Sequence, residues 1–367
     1  MARLTPRAPM WDRFSKWPPG AARLALALVA LVLVASILTF PRETPQPAAT
    51  APGPTASPAD TPADRDTDLQ LYDRIAERVG EGENYYTVAV EEQRARDFPV
   101  RPGLAVRLPT LAFLTAWLGD FGMGALALML GAATLFAWWL RLKDEPGGSE
   151  RSTVILLLLA IGTLSGLKPT YLALHEVWAG LFMALSFGLH RRHRWGLAWL
   201  AAAAALAIRE HALPFVLLMG ALAAWRRDLK EAIGWALLAA IFLVGLSLHL
   251  QAVSAVTTPA DPLSPSWLAL RGLGGWSANV VTSSALHLLP YWLAAPLVFL
   301  PLLGWAGWRT DAGLFGFLLC LGYGVFFMIA GRANNFYWAL IVMPVWFIGY
   351  AFLPRSLASL WNSARDR

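Results

Sequence analysis

The chain has 367 residues, 57% of them hydrophobic and only 15% charged. A soluble domain carries about a quarter charged residues, so a water-soluble enzyme or binding module is excluded. The formal charge of +6 comes from Lys and Arg flanking apolar blocks, which is topology information and not a nucleic-acid signature; the single cysteine, Cys320, leaves no internal disulfide or cysteine metal site.

Apolar blocks of roughly 14 to 20 residues recur along the chain, and the short alternating segments of a membrane β-barrel are absent. The fold class is therefore an all-α polytopic membrane protein, with about ten transmembrane helices. The first span is 21–40, preceded by a basic N-terminus with Arg3, Arg7, Arg13 and Lys16. It exceeds the roughly 7–15 apolar residues of a signal-peptide core, so it is expected to stay as an anchor with residues 1–20 in the cytoplasm. A first outer loop then covers 41–120. Pro41 to Ala63 is rich in Pro, Ala and Thr and reads as a flexible linker.

From Asp66 the character changes. Leu69, Tyr72, Ile75, Ala76 and Val79 fall at helical spacing, with Asp73, Arg74, Glu77 and Arg78 between them. The spacing predicts an amphipathic helix on the outer membrane surface. Thr67-Asp68-Leu69-Gln70 fits a capping box that starts it, and Gly80 and Gly82 stop it. Leu104–Leu118 reads as an interfacial piece leading into a span at Phe121–Leu142, after which Arg141, Lys143 and Arg151 mark a cytoplasmic loop.

Residues 121–353 form the multi-span domain. Thr153–His190 has basic residues at both ends. As one helix it would be about 57 Å long, nearly twice the roughly 30 Å bilayer core, so it must be a hairpin with Ser165–Glu176 at its outer tip. Trp195–Trp225 repeats the pattern, with Arg209, Glu210 and His211 at its apex. Gly234–Leu250, Ala285–Trp305, Leu314–Ala330 and Ala339–Leu353 read as further spans, with Gly331–Trp338 as an outer tip and 354–367 as a cytoplasmic tail. Most of the 18 tryptophans read as interfacial anchors.

This topology gathers an unusual set of polar residues at the outer boundary, where ionisable groups are costly and serve a site or pair with one another. They include Arg101, Arg107, Lys168, His175, Glu176, Arg209, Glu210, His211, Arg271, His287, Arg332, Asn334 and Asn335. Several outer tips each offer an acid, a base or an amide, as one convergent cavity would. Sugar transfer from a lipid-phosphate donor fits: cations hold the phosphate and the departing charge, and a carboxylate takes the acceptor proton.

The stretch DTDLQLYDRIAERVGEGENYY, followed by FPVRPGLAVRLPTLA, resembles the first outer loop of the GT-C superfamily of polyprenyl-phosphate-sugar-dependent glycosyltransferases, the mannosyl- and aminoarabinose-transferase-like enzymes. Asp68 with Tyr72 fits its Asp-x-x-x-Tyr pattern, and His175-Glu176 resembles its second acidic motif. The resemblance implies an inverting transferase of the bacterial inner membrane, with both termini cytoplasmic and the active site periplasmic. Asp68 would be the base, with Asp66 next and with Glu176 and His175 as further catalytic candidates. Tyr72, Arg101, Arg107, Lys168, Arg209, Glu210, His211, Arg332, Asn334, Asn335 and Tyr337 would hold substrate. Arg209 and Glu210 could instead neutralise each other, and Arg101 and Arg107 could meet lipid headgroups. A divalent cation is not implied; Asp66, Asp68 and Glu176 are the oxygen ligands on offer. The expected partners are the polyprenyl-phosphate sugar and the bilayer, with no nucleic acid. Two departures from the family stand out: the linker sets Asp68 far from the first span, and no large soluble domain follows the last. A transporter or flippase for a lipid-linked or anionic substrate is the alternative from another class. An O-antigen ligase would favour a late loop, and GTLSG (Gly162–Gly166) lacks the glycine of an intramembrane-protease GxSG motif.

Overall fold

The computed structural model describes residues 9–39 and 67–365; the linker at Pro41–Ala63 and Arg3 and Arg7 lie outside them. The described residues are helical, without a β-strand and with isolated bridges only. In chain order the α-helices are α1 (Pro19–Leu38), α2 (Thr67–Gly80), α3 (Tyr85–Ala95), α4 (Thr110–Asp144), α5 (Ser152–Leu164), α6 (His175–Leu189), α7 (Gly196–Ile208), α8 (Leu213–Trp225), α9 (Leu229–Val256), α10 (Gly272–Thr282), α11 (Tyr291–Gly307), α12 (Asp311–Ile329), α13 (Met343–Trp346) and α14 (Leu353–Arg365). Among the described residues, four stretches are long and apolar enough to cross a membrane, namely α1, 103–144, α9 and α12. Their large outward side chains, among them Leu28, Leu128, Phe136 and Val244, are exposed, as a lipid-facing surface requires.

Local chemistry sets the breaks. Helix α2 is described from Thr67 on, and Gly82, at φ +93°, turns the chain after it. Asn84 caps α3 by accepting from the amides of Tyr86 and Thr87. Helix α4 is interrupted at Gly119, whose φ of +61° and ψ of 179° only glycine adopts cheaply. The interruption divides a short first piece from the long second one. Ala198, Ala201, Ala202 and Ala205 give α7 a small, buried face. That face lets α6 approach closely enough for the Ser186 hydroxyl to reach Ala198 O at 2.7 Å.

Two expectations change. The segment expected to return as a span at Ala339–Leu353 is not one helix. It runs as a 3-10 helix to Ile341, the short α13, and a second 3-10 helix at Phe347–Ala351, almost all buried. Irregular backbone at membrane depth survives where protein surrounds it. The second change concerns tryptophan: Trp138, Trp178, Trp235, Trp305, Trp308 and Trp346 are fully buried. Several donate indole N–H groups to carbonyls, as Trp138 does to Ala184 O at 3.0 Å and Trp308 to Pro146 O at 2.8 Å. Proline explains one such partnership. Pro301 inside α11 has no N–H for Leu297 O, and the Tyr350 hydroxyl takes that carbonyl.

The contact between α11 and the second 3-10 helix is backbone to backbone. A Cβ on Gly304 would lie 1.8 Å from Gly349 O. Gly304→Ala is therefore expected to destabilise the protein by about 1–3 kcal/mol through overpacking. Unfolding in detergent against wild type checks it; an unchanged midpoint would mean that the two elements separate easily.

The polar loops collect at two opposite ends of the bundle. At one end, Arg191 pairs with Asp144 (3.1 Å), Arg192 with Asp311 (2.7 Å) and His190 with Glu231 (2.7 Å), and Arg151 lies over the Trp11 ring. Helix α14, in the expected cytoplasmic tail, packs at this end against α1 and α11. The other end holds α2, α3, the α5–α6 tip, the α7–α8 apex and the start of the 3-10 helix at Ala333–Ile341, and a cavity opens among all of these but the α7–α8 apex.

Candidate functional site

The cavity measures about 660 Å³ and is walled by four separate parts of the chain. The first outer loop contributes Tyr72 and Asp73 from α2, Tyr85, Ala89 and Gln93 from α3, and Arg107, Leu111, Thr115, Asp120 and Met123. The α5–α6 tip contributes Pro169, Thr170, Leu172, Ala173 and His175. The segment after α12 contributes Arg332, Asn334, Asn335 and Tyr337, and a loop before α10 adds Pro262 to Pro265 and Trp267. The wall is mixed, with apolar side chains predominating around a few cations, amides and phenols, as small-molecule sites are built.

Arg107 is held from both sides. Its Nε donates to the Tyr72 hydroxyl at 3.1 Å, and the Tyr85 hydroxyl donates to its carbonyl at 2.6 Å. Burial pushes the Tyr85 phenol up, so it remains a neutral donor. Tyr72 also meets the His175 ring edge to face, with centroids 5.2 Å apart. Across the cavity, the Arg332 amide donates to the Asn335 side chain at 3.0 Å, and Asn335 Nδ2 donates to the Tyr337 hydroxyl at 3.4 Å.

Beneath the wall lies an ion cluster. Arg209 is 1% exposed and Glu176 is 2% exposed. Arg209 Nε is 2.8 Å from Glu176 Oε1, a charge contact whose N–H is not in line for a hydrogen bond, and its Nη1 donates to Glu210 Oε1 at 2.7 Å. His211 packs edge-on to Trp338, with centroids 4.7 Å apart, and its carbonyl accepts from Tyr323 at 2.6 Å. The charges of Glu176 and Glu210 also act on Arg107, which ties the cluster to the cavity wall. Several buried donor atoms here have no partner: Arg209 Nη2, Arg332 Nε and Trp338 Nε1. Buried donors left unmade are costly, and their concentration beside a cavity suits an anionic or hydroxyl-rich occupant.

A strap formed by the loop after α9 crosses the cavity edge. Arg94 grips Asp261 with two bonds of 2.7 and 2.8 Å, and the Thr258 amide donates to the same carboxylate at 2.6 Å. Arg101 anchors the strap as well: its side chain donates to Pro259 O, its amide to Pro262 O at 3.3 Å, and its carbonyl accepts from Ser264 at 2.6 Å. The Arg94 guanidinium, then the Thr258 amide, hold the Asp261 carboxyl well below the usual carboxylate range. A lowered carboxylate stabilises the strap above the unfolded value near pH 4 and loses that contribution as pH falls toward the folded value. Protection of the amides in 257–267, corrected for the intrinsic pH dependence of exchange, is therefore expected to fall only below about pH 4, and Arg94→Gln is expected to remove most of that dependence. A fall near pH 6 would assign the strap to a histidine instead.

The structure brings some expected residues together and separates others. Tyr72, Arg107, His175, Arg332, Asn334, Asn335 and Tyr337 line one cavity. Glu176, Arg209, Glu210 and His211 do not line it and form the cluster below. Arg101 braces the strap, and Lys168 is exposed beside Tyr171, 5.4 Å from its ring. Asp68 stands in the first turn of α2; its side chain, like the whole of Asp66, lies outside the described residues. Among the described residues no group of three His, Cys, Asp or Glu is placed to hold a metal ion. Asp73, Asp97 and Asp120 also line the cavity and are not among the site residues expected from the sequence. For Asp120 a signal existed, since it is the one acid in the apolar stretch Leu104–Leu142. Comparison with known protein families, with curated proteins and with solved structures finds no match.

Proposed function

We propose that this protein is a GT-C-type glycosyltransferase of the bacterial inner membrane. It would move a sugar from a polyprenyl-phosphate donor to an acceptor at the periplasmic face, with about ten spans and both termini cytoplasmic. The observation that carries the reading is the meeting of Arg107 and Arg332 with Tyr72, His175, Asn334 and Tyr337 on one cavity of about 660 Å³. Two arginines suit a phosphate better than a neutral ligand, because the guanidinium matches its oxygens and keeps its charge in an apolar wall. The amides and phenols suit sugar hydroxyls.

In the proposed step a carboxylate of α2 accepts the proton of the acceptor hydroxyl. The acceptor oxygen forms a bond to the anomeric carbon as the bond from that carbon to the phosphate oxygen breaks, with inversion. The lipid phosphate leaves as an anion against Arg107 and Arg332 and needs no proton. Asp68 is the first choice for the base and Asp66, just before it in sequence, the second; Asp73, on α2 and lining the cavity, is a further candidate.

The test is sugar transfer from a panel of polyprenyl-phosphate sugars by purified protein in lipid, wild type against Asp68→Asn. Transfer lost in the variant, with donor binding retained, establishes the class and the base together. Transfer that survives keeps the class and moves the base to Asp66 or Asp73. No transfer from any donor, with movement of a lipid-linked sugar across the bilayer, would sink the enzyme reading in favour of a flippase.

A further inference from the structure

Helix α14 is amphipathic in the inverse sense for a tail in water. Its buried face is mostly serine: Ser356, Ser359 and Ser363 point inward with Leu360. Its outer face carries Leu357 and Trp361, which are 37% and 57% exposed. The inward serines fix this orientation. Ser359 donates to Asp12 Oδ2, Ser363 donates to Phe14 O at 3.0 Å, and Arg355 completes the Asp12 carboxylate at 2.6 Å. The helix therefore cannot rotate its apolar face inward without breaking a buried polar network.

The rim of that outer face is cationic. Arg365 lies over the Trp361 ring at 5.4 Å, Arg23 donates to Ala364 O at 2.9 Å, and Lys16 is exposed nearby in sequence and end. Asp12 is the one acid among the described residues of 9–39 and 353–365, and it is buried under Arg355. Helix α1, which packs on α14, carries exposed leucines of its own, among them Leu24 and Leu28. An aromatic, aliphatic and cationic face at the end of a bundle matches the membrane interface.

We propose that α14 and the N-terminal turn form a platform that binds anionic phospholipid of the leaflet on their own side. Trp361 and Leu357 would sit at headgroup depth, and Arg23, Arg365 and Lys16 would hold lipid phosphates. The test uses full-length protein in nanodiscs of phosphatidylcholine, alone or equimolar with phosphatidylglycerol. Trp361→Cys and Asn362→Cys are each labelled with an environment-sensitive dye; Cys320 is buried. The label at 361 is expected to be quenched by nitroxide lipid and shielded from iodide, and the label at 362 to be reached by iodide. Phosphatidylglycerol is expected to be enriched among bound lipids, and the enrichment to fall about fivefold for each charge removed in Arg23→Gln and Arg365→Gln. Among the described residues Arg365 makes no contact beyond the Trp361 ring on its own helix, so its variant carries the test even where Arg23→Gln unfolds. Iodide access at 361, concentration-dependent contact between labels of two copies, or enrichment indifferent to Arg365→Gln would each overturn the proposal.

Discussion

Arg209→Met is expected to destabilise the protein by about 3–5 kcal/mol, the cost of leaving buried carboxylates without their cation. Arg209 is 1% exposed and stands between Glu176 and Glu210, at 2.8 and 2.7 Å. Methionine matches the length of the side chain but supplies no charge, so Glu176 must take up a proton, draw in water or push the α6 and α7 ends apart. The loss is therefore expected to shrink when the acids go too. The triple change Arg209→Met, Glu176→Gln and Glu210→Gln should recover most of the stability, because a wholly neutral site has nothing left to compensate. Chemical unfolding in detergent measures both. A single-variant loss under about 1 kcal/mol would mean that water already screens the pair, as at a surface. The result does not depend on what the cavity binds.

That cluster also shows where sequence reasoning stops. His175 and Glu176 were read together as one outer-tip motif, but adjacent residues on a helix point about 100° apart. Only His175 reaches the cavity wall, while Glu176 turns inward to Arg209. Hydropathy could not reveal this, because it registers that a charge lies at membrane depth and not which way it faces. The same limit hid the irregular chain at 339–353, since a buried broken segment and a lipid-facing span have the same composition. What local chemistry controls was more legible. The turn at Gly82 and the division of the stretch near Leu118–Phe121 each follow from residues within a few positions of the event. The gathering of Tyr72, Arg107, His175 and Arg332 was legible as composition at outer tips; their common cavity depends on long-range packing.

Arg107→Gln is expected to lower sugar transfer by about 10²- to 10³-fold, the range seen when a single donor to a developing anion is removed. The side chain is positioned for such a role before any ligand arrives: Tyr72 takes its Nε at 3.1 Å and Tyr85 holds its carbonyl at 2.6 Å. Little rotamer entropy then remains to be lost on binding, which leaves more of the interaction for the departing phosphate. Arg107→Lys separates charge from geometry. Lysine keeps the cation but cannot both engage Tyr72 and present a planar pair of donors, so it should restore part of the rate and weaken donor binding. Arg332→Gln should act in the same direction, because Arg332 lines the same cavity. If the charge is what matters, the two glutamine variants together should lose less than the product of their separate effects, since both act on one phosphate. Two glutamine variants that each keep transfer within a few-fold of wild type would remove the phosphate from this cavity. The lipid-phosphate donor would fall with it, whatever the role of α2.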